Sequence, residues 1–263
     1  MRHYIIVIFS IVSLCSCSVK NKDVSGADED LTAKELLQGI WLDDETDTPL
    51  FRIEGDTIYY SDSQNAPVYF KIIKDSLYMY GNEVSHYQID KQAEHLFWFH
   101  SLADNIIKLH KSEDESDSLA FTKTMEVIPT YTEVTKKDTV VMYDGTRYRA
   151  YVYINPSKMK VIKTTVSEDG ISVDNVFYDN VMHICIYEGR KSLYASDVAK
   201  KDFAGVIPDD FLQKSILADM NFIKVNASGY QYQAMLNIPE SPLCYIVNLN
   251  IGFDGKVTMK CVK

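Results

Sequence analysis

Apolar residues recur at every second position in a train of short runs between residues 39 and 111. Segments 39–41, 51–54, 57–60, 68–73, 76–80, 85–89, 96–100 and 106–111 read as strands, in which alternate side chains point to opposite faces. In 68–73, Val68, Phe70 and Ile72 fall on one face, Tyr69 and Lys71 on the other. Turn residues separate the runs: Gly55-Asp56, Ala66-Pro67, Lys74-Asp75, Gly81-Asn82 and Ala103-Asp104-Asn105. Short strands at even spacing predict an antiparallel meander that closes into a barrel, because closure removes unpaired edges. Residues 31–38, just before it, predict a short helix.

The pattern breaks at the acidic stretch 112–118, so a linker is expected over 112–124 and a second domain over 125–263. There Arg147, Arg149, Tyr151 and Tyr153 alternate with Tyr148, Ala150, Val152 and Ile154, as in a half-buried strand. Further strands are predicted over 161–166, 181–187, 230–238, 244–251 and 257–262. Pro208 followed by Asp209 and Asp210 opens a helix: Pro suits the first turn and the carboxylates suit the positive end of the dipole. Phe211, Leu212, Ser215, Ile216 and Met220 extend it as a stripe of period 3.6. The fold class expected is mostly β: an antiparallel meander or barrel over 31–111, then an α+β domain, an antiparallel sheet with one or two helices.

The last two strands flank residues 252–256 (GFDGK). A two-residue Asp254-Gly255 turn would set Leu249 against Lys260. A three-residue loop, with Gly255 in the left-handed bulge position, sets Ile251 against Val257, Leu249 against Met259 and Val247 against Cys261. Only the second makes one face apolar, so it is the register predicted. It turns Cys261 inward and Cys244 outward, too divergent for a disulfide. Cys185 is left free to pair with Cys244, with Cys261, or with neither.

Charge and motifs narrow the function. Lys and Arg number 27 against 37 Asp and Glu, a net charge of −10. That balance excludes nucleic acid as a partner and argues against docking on anionic lipid through the folded surface. The five cysteines show no zinc spacing, and no nucleophile elbow, metalloprotease, phosphate-loop, dinucleotide or EF-hand pattern occurs. No catalytic residue, metal or cofactor is expected. The acid run 43–47 lacks the alternating ligands of a calcium loop and reads as solvated. His95 and His100 fall on opposite faces of one strand. His183 shares a face with Cys185, but a base one strand step along is not aimed at the thiol, so a core histidine is expected. The candidate ligand face is Arg147, Arg149, Tyr151 and Tyr153, which combines cations with rigid amphipathic rings.

At the N-terminus, Met1-Arg2-His3 precedes an apolar run over 4–12, too short for a bilayer, which takes about 20 residues. Leu14-Cys15-Ser16-Cys17 follows. This resembles the lipobox of bacterial lipoproteins. The resemblance implies removal of residues 1–16, lipidation of Cys17 with palmitate-type chains, and a tether over 17–30. Ser18, where Asp would retain the chain at the inner membrane, implies the outer membrane. Lys22-Asp23 partly matches the surface-export signals of Bacteroidota-type lipoproteins, which leaves both the periplasmic and the cell-surface face open.

Two further resemblances concern the folded part. Gly39-x-Trp41 at the head of the meander resembles the small lipocalin-like domains of the calycin group, whose Trp plugs one end of an eight-stranded barrel. Such a barrel fills itself with side chains or holds one small ligand, and the small size favours the filled state. Tyr178-Asp179-Asn180, Gly189, Lys201-x-Phe203, Asp210-Phe211-Leu212 and Asp254-Gly255 resemble an uncharacterised domain of Bacteroidota-type lipoproteins, with no implied activity. The function expected is an outer-membrane-anchored, non-catalytic binding or accessory module. Its partners are the membrane, through Cys17, and a protein or glycan at the cell envelope. The alternative is a hydrolase or calcium-dependent enzyme whose carboxylates converge from distant loops.

Overall fold

A computed structural model of the chain describes residues 28–125 and 127–262. The expected signal segment, Cys17 and nearly all of the expected tether lie outside the described residues. Eight strands, β1 (Gly39–Asp43), β2 (Pro49–Glu54), β3 (Thr57–Tyr60), β4 (Val68–Ile73), β5 (Ser76–Tyr80), β6 (Val84–Ala93), β7 (Leu96–His100) and β8 (Ile106–Lys111), pair antiparallel in chain order, and β8 returns to β1. The meander is therefore a closed barrel. Its alternation becomes inside and outside: Val68, Phe70 and Ile72 are buried while Tyr69 is exposed. Trp41, Phe51, Phe70, Tyr87, Phe97 and Phe99 occupy the interior.

Helix α1 (Leu31–Leu36) covers one end. Trp41 packs edge-on to Phe97 and donates its indole N–H to the Leu37 carbonyl just past α1, 2.7 Å away. Asp30 caps α1 by accepting the Ala33 N–H at 2.9 Å. Lys34 is buried under α1, paired with Glu29 and Asp56 at 2.6 Å each and donating to the Phe70 carbonyl. Burial works against its charge, yet the hydrogen bonds to Asp56 and Glu29 hold its pKa above the usual lysine value. Glu29 and Asp30, read from the sequence as the end of the tether, thus belong to the folded unit. The expected linker is also part of the fold. Glu115–Phe121 forms a 3-10 helix capped by Asp114, with acids in its first turn, and buries Phe121 near Arg52 of β2.

Beyond it, β10 (Thr135–Tyr143), β11 (Thr146–Val166), β12 (Ser172–Glu188) and β13 (Lys191–Ala199) form one antiparallel sheet, with β9 (Ile128–Pro129) parallel beside β12. A second sheet holds β14 (Ile216–Asn226), β15 (Gly229–Asn237), β16 (Cys244–Ile251) and β17 (Val257–Cys261). The sheets bury their apolar faces in a common core: Val152, Ile154, Ile184 and Ile186 from the first, and Phe222, Tyr232, Leu236 and Leu249 from the second. The two segments read as 147–154 and 161–166 are one strand, interrupted by a bulge between Pro156 and Lys160.

The helical content of this half is short: a 3-10 turn at Lys200–Phe203 and α2 (Asp209–Lys214). The stripe expected to carry α2 through Met220 does not hold. Ser215 is extended, and Ile216 opens β14, whose ladder with β15 and burial in the common core outweigh a weak helical period. Register slips at Leu217–Asp219 and Phe222–Lys224 shift its alternation, which hides the period of two.

The β11–β12 hairpin leaves this core and reaches the other end of the barrel. Ile171 (1% exposed) and Val173 sit in the barrel core. The Ser172 N–H donates to the Tyr87 hydroxyl at 2.7 Å, and the Leu102 N–H to the Gly170 carbonyl at 3.0 Å. Asp174 accepts the Asn82 N–H at 2.5 Å. Gly170 makes the approach possible: its φ is +75°, and a Cβ there would lie 2.8 Å from Ser101. The barrel and the sandwich keep separate sheets, apart from one bridge between Asn65 and Asn175, but they share a core at this tip.

The terminal hairpin has the three-residue register: Ile251 opposes Val257, Leu249 opposes Met259, Val247 opposes Cys261, and Gly255 has a φ of +83°. Cys185, Cys244 and Cys261 are all free thiols. Cys244 is exposed, Cys261 is half-buried, and burial pushes the Cys185 thiol above its ordinary pKa. Iodoacetamide at pH 8 should therefore label Cys244 first, Cys261 more slowly and Cys185 only on unfolding. Peptide mapping checks the order, and early labelling of Cys185 or a Cys244–Cys261 disulfide would contradict it.

Candidate binding face and groove

The first sheet of the sandwich leaves one face to solvent. Strand geometry sends Ala150, Val152 and Ile154 into the core, so Arg147, Arg149, Tyr151 and Tyr153 all point outward. Pairing adds neighbours that the sequence pattern could not supply. Tyr153 lies between Lys136 and His183, Tyr151 between Asp138 and Cys185, and Arg149 between Val140 and Tyr187. Tyr151 stands 5.9 Å from Tyr187 and 6.1 Å from Tyr153, which is 6.1 Å from His183, centroid to centroid. The Lys136 ammonium sits 4.2 Å from the Tyr151 ring centre and the Arg149 guanidinium 5.1 Å away. Arg149 forks onto Asp138, which its hydrogen bonds hold below the usual carboxylate range. Arg147 and Lys136 make no ion pair among the described residues. The result is a strip of rings edged by free cations, beside the exposed side chains of Val140 and Met142.

His183 belongs to this face and not to the core. Met182, Ile184 and Ile186 take the inward positions, and His183 Nδ1 lies 2.7 Å from Asp197 Oδ1 outside. Cys185 shares the face but is buried and held as a thiol, so the pair is not built as a nucleophile and base. In the acid run, Asp44 and Asp47 both contact the His110 ring, at 2.9 and 3.1 Å, and Asp43 accepts from Glu45 and Thr46. Among the described residues, no three His, Cys, Asp or Glu side chains are grouped to hold a metal.

A second site went unread in the sequence. At the bulge in β11, the Ser157 hydroxyl donates to the Asp179 carbonyl at 2.7 Å. The Asp179 carboxylate is 1% exposed, and its Oδ1 accepts the N–H groups of Asn180 and Leu217, each at 2.8 Å. Asn180 Nδ2 returns a bond to the Leu217 carbonyl. Together they clasp the start of β14 to the first sheet. Lys200 Nζ donates to the Ser215 carbonyl at 2.8 Å and lies 3.8 Å from Asp179 Oδ2. Burial pushes the Asp179 carboxyl up and the Lys200 ammonium down. Over this pair opens a groove of about 810 Å³, with Met159, Val181, Ala199 and Leu212 as apolar lining. The one advance signal was Asp179-Asn180 inside an otherwise apolar run.

A family model described as a domain of unknown function, DUF4738, matches residues 114–259. The chain belongs to this family. The DUF4738 region begins just after the last barrel strand and takes in both sheets, the ring-and-cation face and the groove. The barrel lies ahead of it, yet the hairpin tip that closes the barrel is a DUF4738 element. Residues 178–180, 201 and 212, distant in sequence, meet at its groove or flank it. No curated protein matches the chain.

Proposed function

We propose that this chain is an outer-membrane lipoprotein, anchored through acyl chains on Cys17, whose DUF4738 region is a non-catalytic module that binds a protein or glycan at the cell envelope. The observation that carries the binding role is the outward strip of Tyr151, Tyr153 and Tyr187 edged by Arg147, Arg149 and Lys136. Tyrosine rings give large contact area at low cost in side-chain entropy, and arginine adds directional donors. The lipobox at Leu14-Cys15-Ser16-Cys17 supports the anchor. Two or three acyl chains hold firmly, since each buried CH₂ contributes about 0.8 kcal/mol.

Two variants test the reading separately. Cys17→Ala should move the protein from the membrane pellet to the soluble fraction, and persistence in the pellet after a high-salt wash would refute the anchor. Tyr151→Ala with Tyr153→Ala should leave the thermal midpoint unchanged within a few degrees and weaken recovery of the partner from native membranes. Truncating two central rings costs about 2–4 kcal/mol, roughly 30-fold or more in affinity. Equal recovery with the double variant would refute the face.

A further inference from the structure

We propose that the groove above Asp179 and Lys200 binds a hydroxylated anionic amphiphile: an apolar chain with a carboxylate at one end and a hydroxyl at the other. Three independent features of the site call for the three parts of that ligand.

The apolar body follows from Met159, Val181, Ala199 and Leu212, which line an 810 Å³ groove within the size range of small-molecule sites. The anionic end follows from the charge that is left over. Lys160 and Lys201 line the groove, are exposed, and make no ion pair among the described residues. The lining carboxylates are already engaged: Asp197 with His183, Asp202 with the Ala199 N–H, and Asp179 Oδ1 with two backbone N–H groups. The lining holds three lysines and three aspartates, and Lys160 and Lys201 are the two cations there with no carboxylate within ion-pair distance among the described residues, so an acid end seats beside them.

The hydroxyl follows from the buried pair. No hydrogen bond reaches Asp179 Oδ2 among the described residues, although the side chain is 1% exposed and lines the groove. Its nearest cation, Lys200 Nζ, stands 3.8 Å off, too far for a hydrogen bond. A group that donates to Asp179 Oδ2 and accepts from Lys200 completes both, and a hydroxyl does so with one atom. A second carboxylate there would meet the Asp179 charge, so the acid end lies toward Lys160 and Lys201.

The test uses residues 28–263 and titration calorimetry below the micelle concentration of each probe: 12-hydroxydodecanoate, dodecanoate and dodecyltrimethylammonium. The hydroxy acid should bind saturably with one site, and about tenfold more tightly than dodecanoate, the value of one charge-assisted hydrogen bond. The ammonium probe should not bind. Met159→Lys should abolish binding, and Lys160→Ala with Lys201→Ala should weaken it about tenfold or more. All three positions are exposed, so the thermal midpoints should stay unchanged and keep the comparison clean. Failure of the hydroxy acid to saturate would overturn the proposal. So would equal affinity for the two acids, or affinity that Met159→Lys leaves intact. The groove adjoins the ring-and-cation face at the Asp197–His183 contact, but the substituted positions 159, 160 and 201 leave Tyr151 and Tyr153 in place, so failure here is distinguishable from failure of the Tyr151 and Tyr153 variants.

Discussion

Ile171→Ala should destabilise the barrel although Ile171 belongs to the other half of the chain. Its side chain is 1% exposed and packs in the barrel core, where truncation costs about 2–5 kcal/mol through lost transfer energy and the cavity left behind. The readout is specific, because both tryptophans, Trp41 and Trp98, lie on barrel strands. Their fluorescence reports barrel unfolding, and its urea midpoint should fall. Val166→Ala, at an exposed position of the same hairpin, should leave it in place. An unmoved midpoint in Ile171→Ala would mean that the barrel is closed and stable without the tip, and that the halves fold independently.

Asp179→Ala should cost the DUF4738 sandwich about 3 kcal/mol or more. It leaves the Leu217 and Asn180 N–H groups buried without an acceptor and Lys200 without its partner. Asp179→Asn keeps an oxygen for both N–H groups and should cost far less. The pair also carries a pH signature. Burial raises the folded-state pKa of Asp179 above its ordinary value of 3.8, so the folded chain holds that proton more tightly than the unfolded one. Its contribution to stability is full below pH 3.8 and is lost as pH rises through the folded value. Thermal unfolding across that range should show this decline in the parent and not in Asp179→Asn. Equal stability of the Ala and Asn variants would refute the clasp.

Much of this molecule was legible where side-chain period and turn chemistry agree. The eight barrel strands, the inward side of β4 and the register of the terminal hairpin all follow from a strict period of two with turn residues between. Failures arose where tertiary pairing overrode the local signal. The start of β14 read as a helix because its bulges break the alternation, and β10 and β13 were not singled out as strands because few of their residues are buried. The linker residues carry a polar composition, yet one aromatic, Phe121, ties them to the barrel. The face was half legible: one strand displays Arg147, Arg149, Tyr151 and Tyr153, but Lys136, His183 and Tyr187 join only through cross-strand register. The groove was not legible, because Met159, Asp179, Lys200 and Leu212 are gathered by a bulge and two short helical turns.

Site-specific photo-crosslinking in living cells tests the binding role most directly. A benzophenone side chain placed at Tyr153, on the ring-and-cation face, should give a discrete higher-mass adduct on illumination. The same group at Asn248, exposed on the second sheet, should give none. No adduct at position 153, or the same adducts at both positions, would contradict a partner bound on that face.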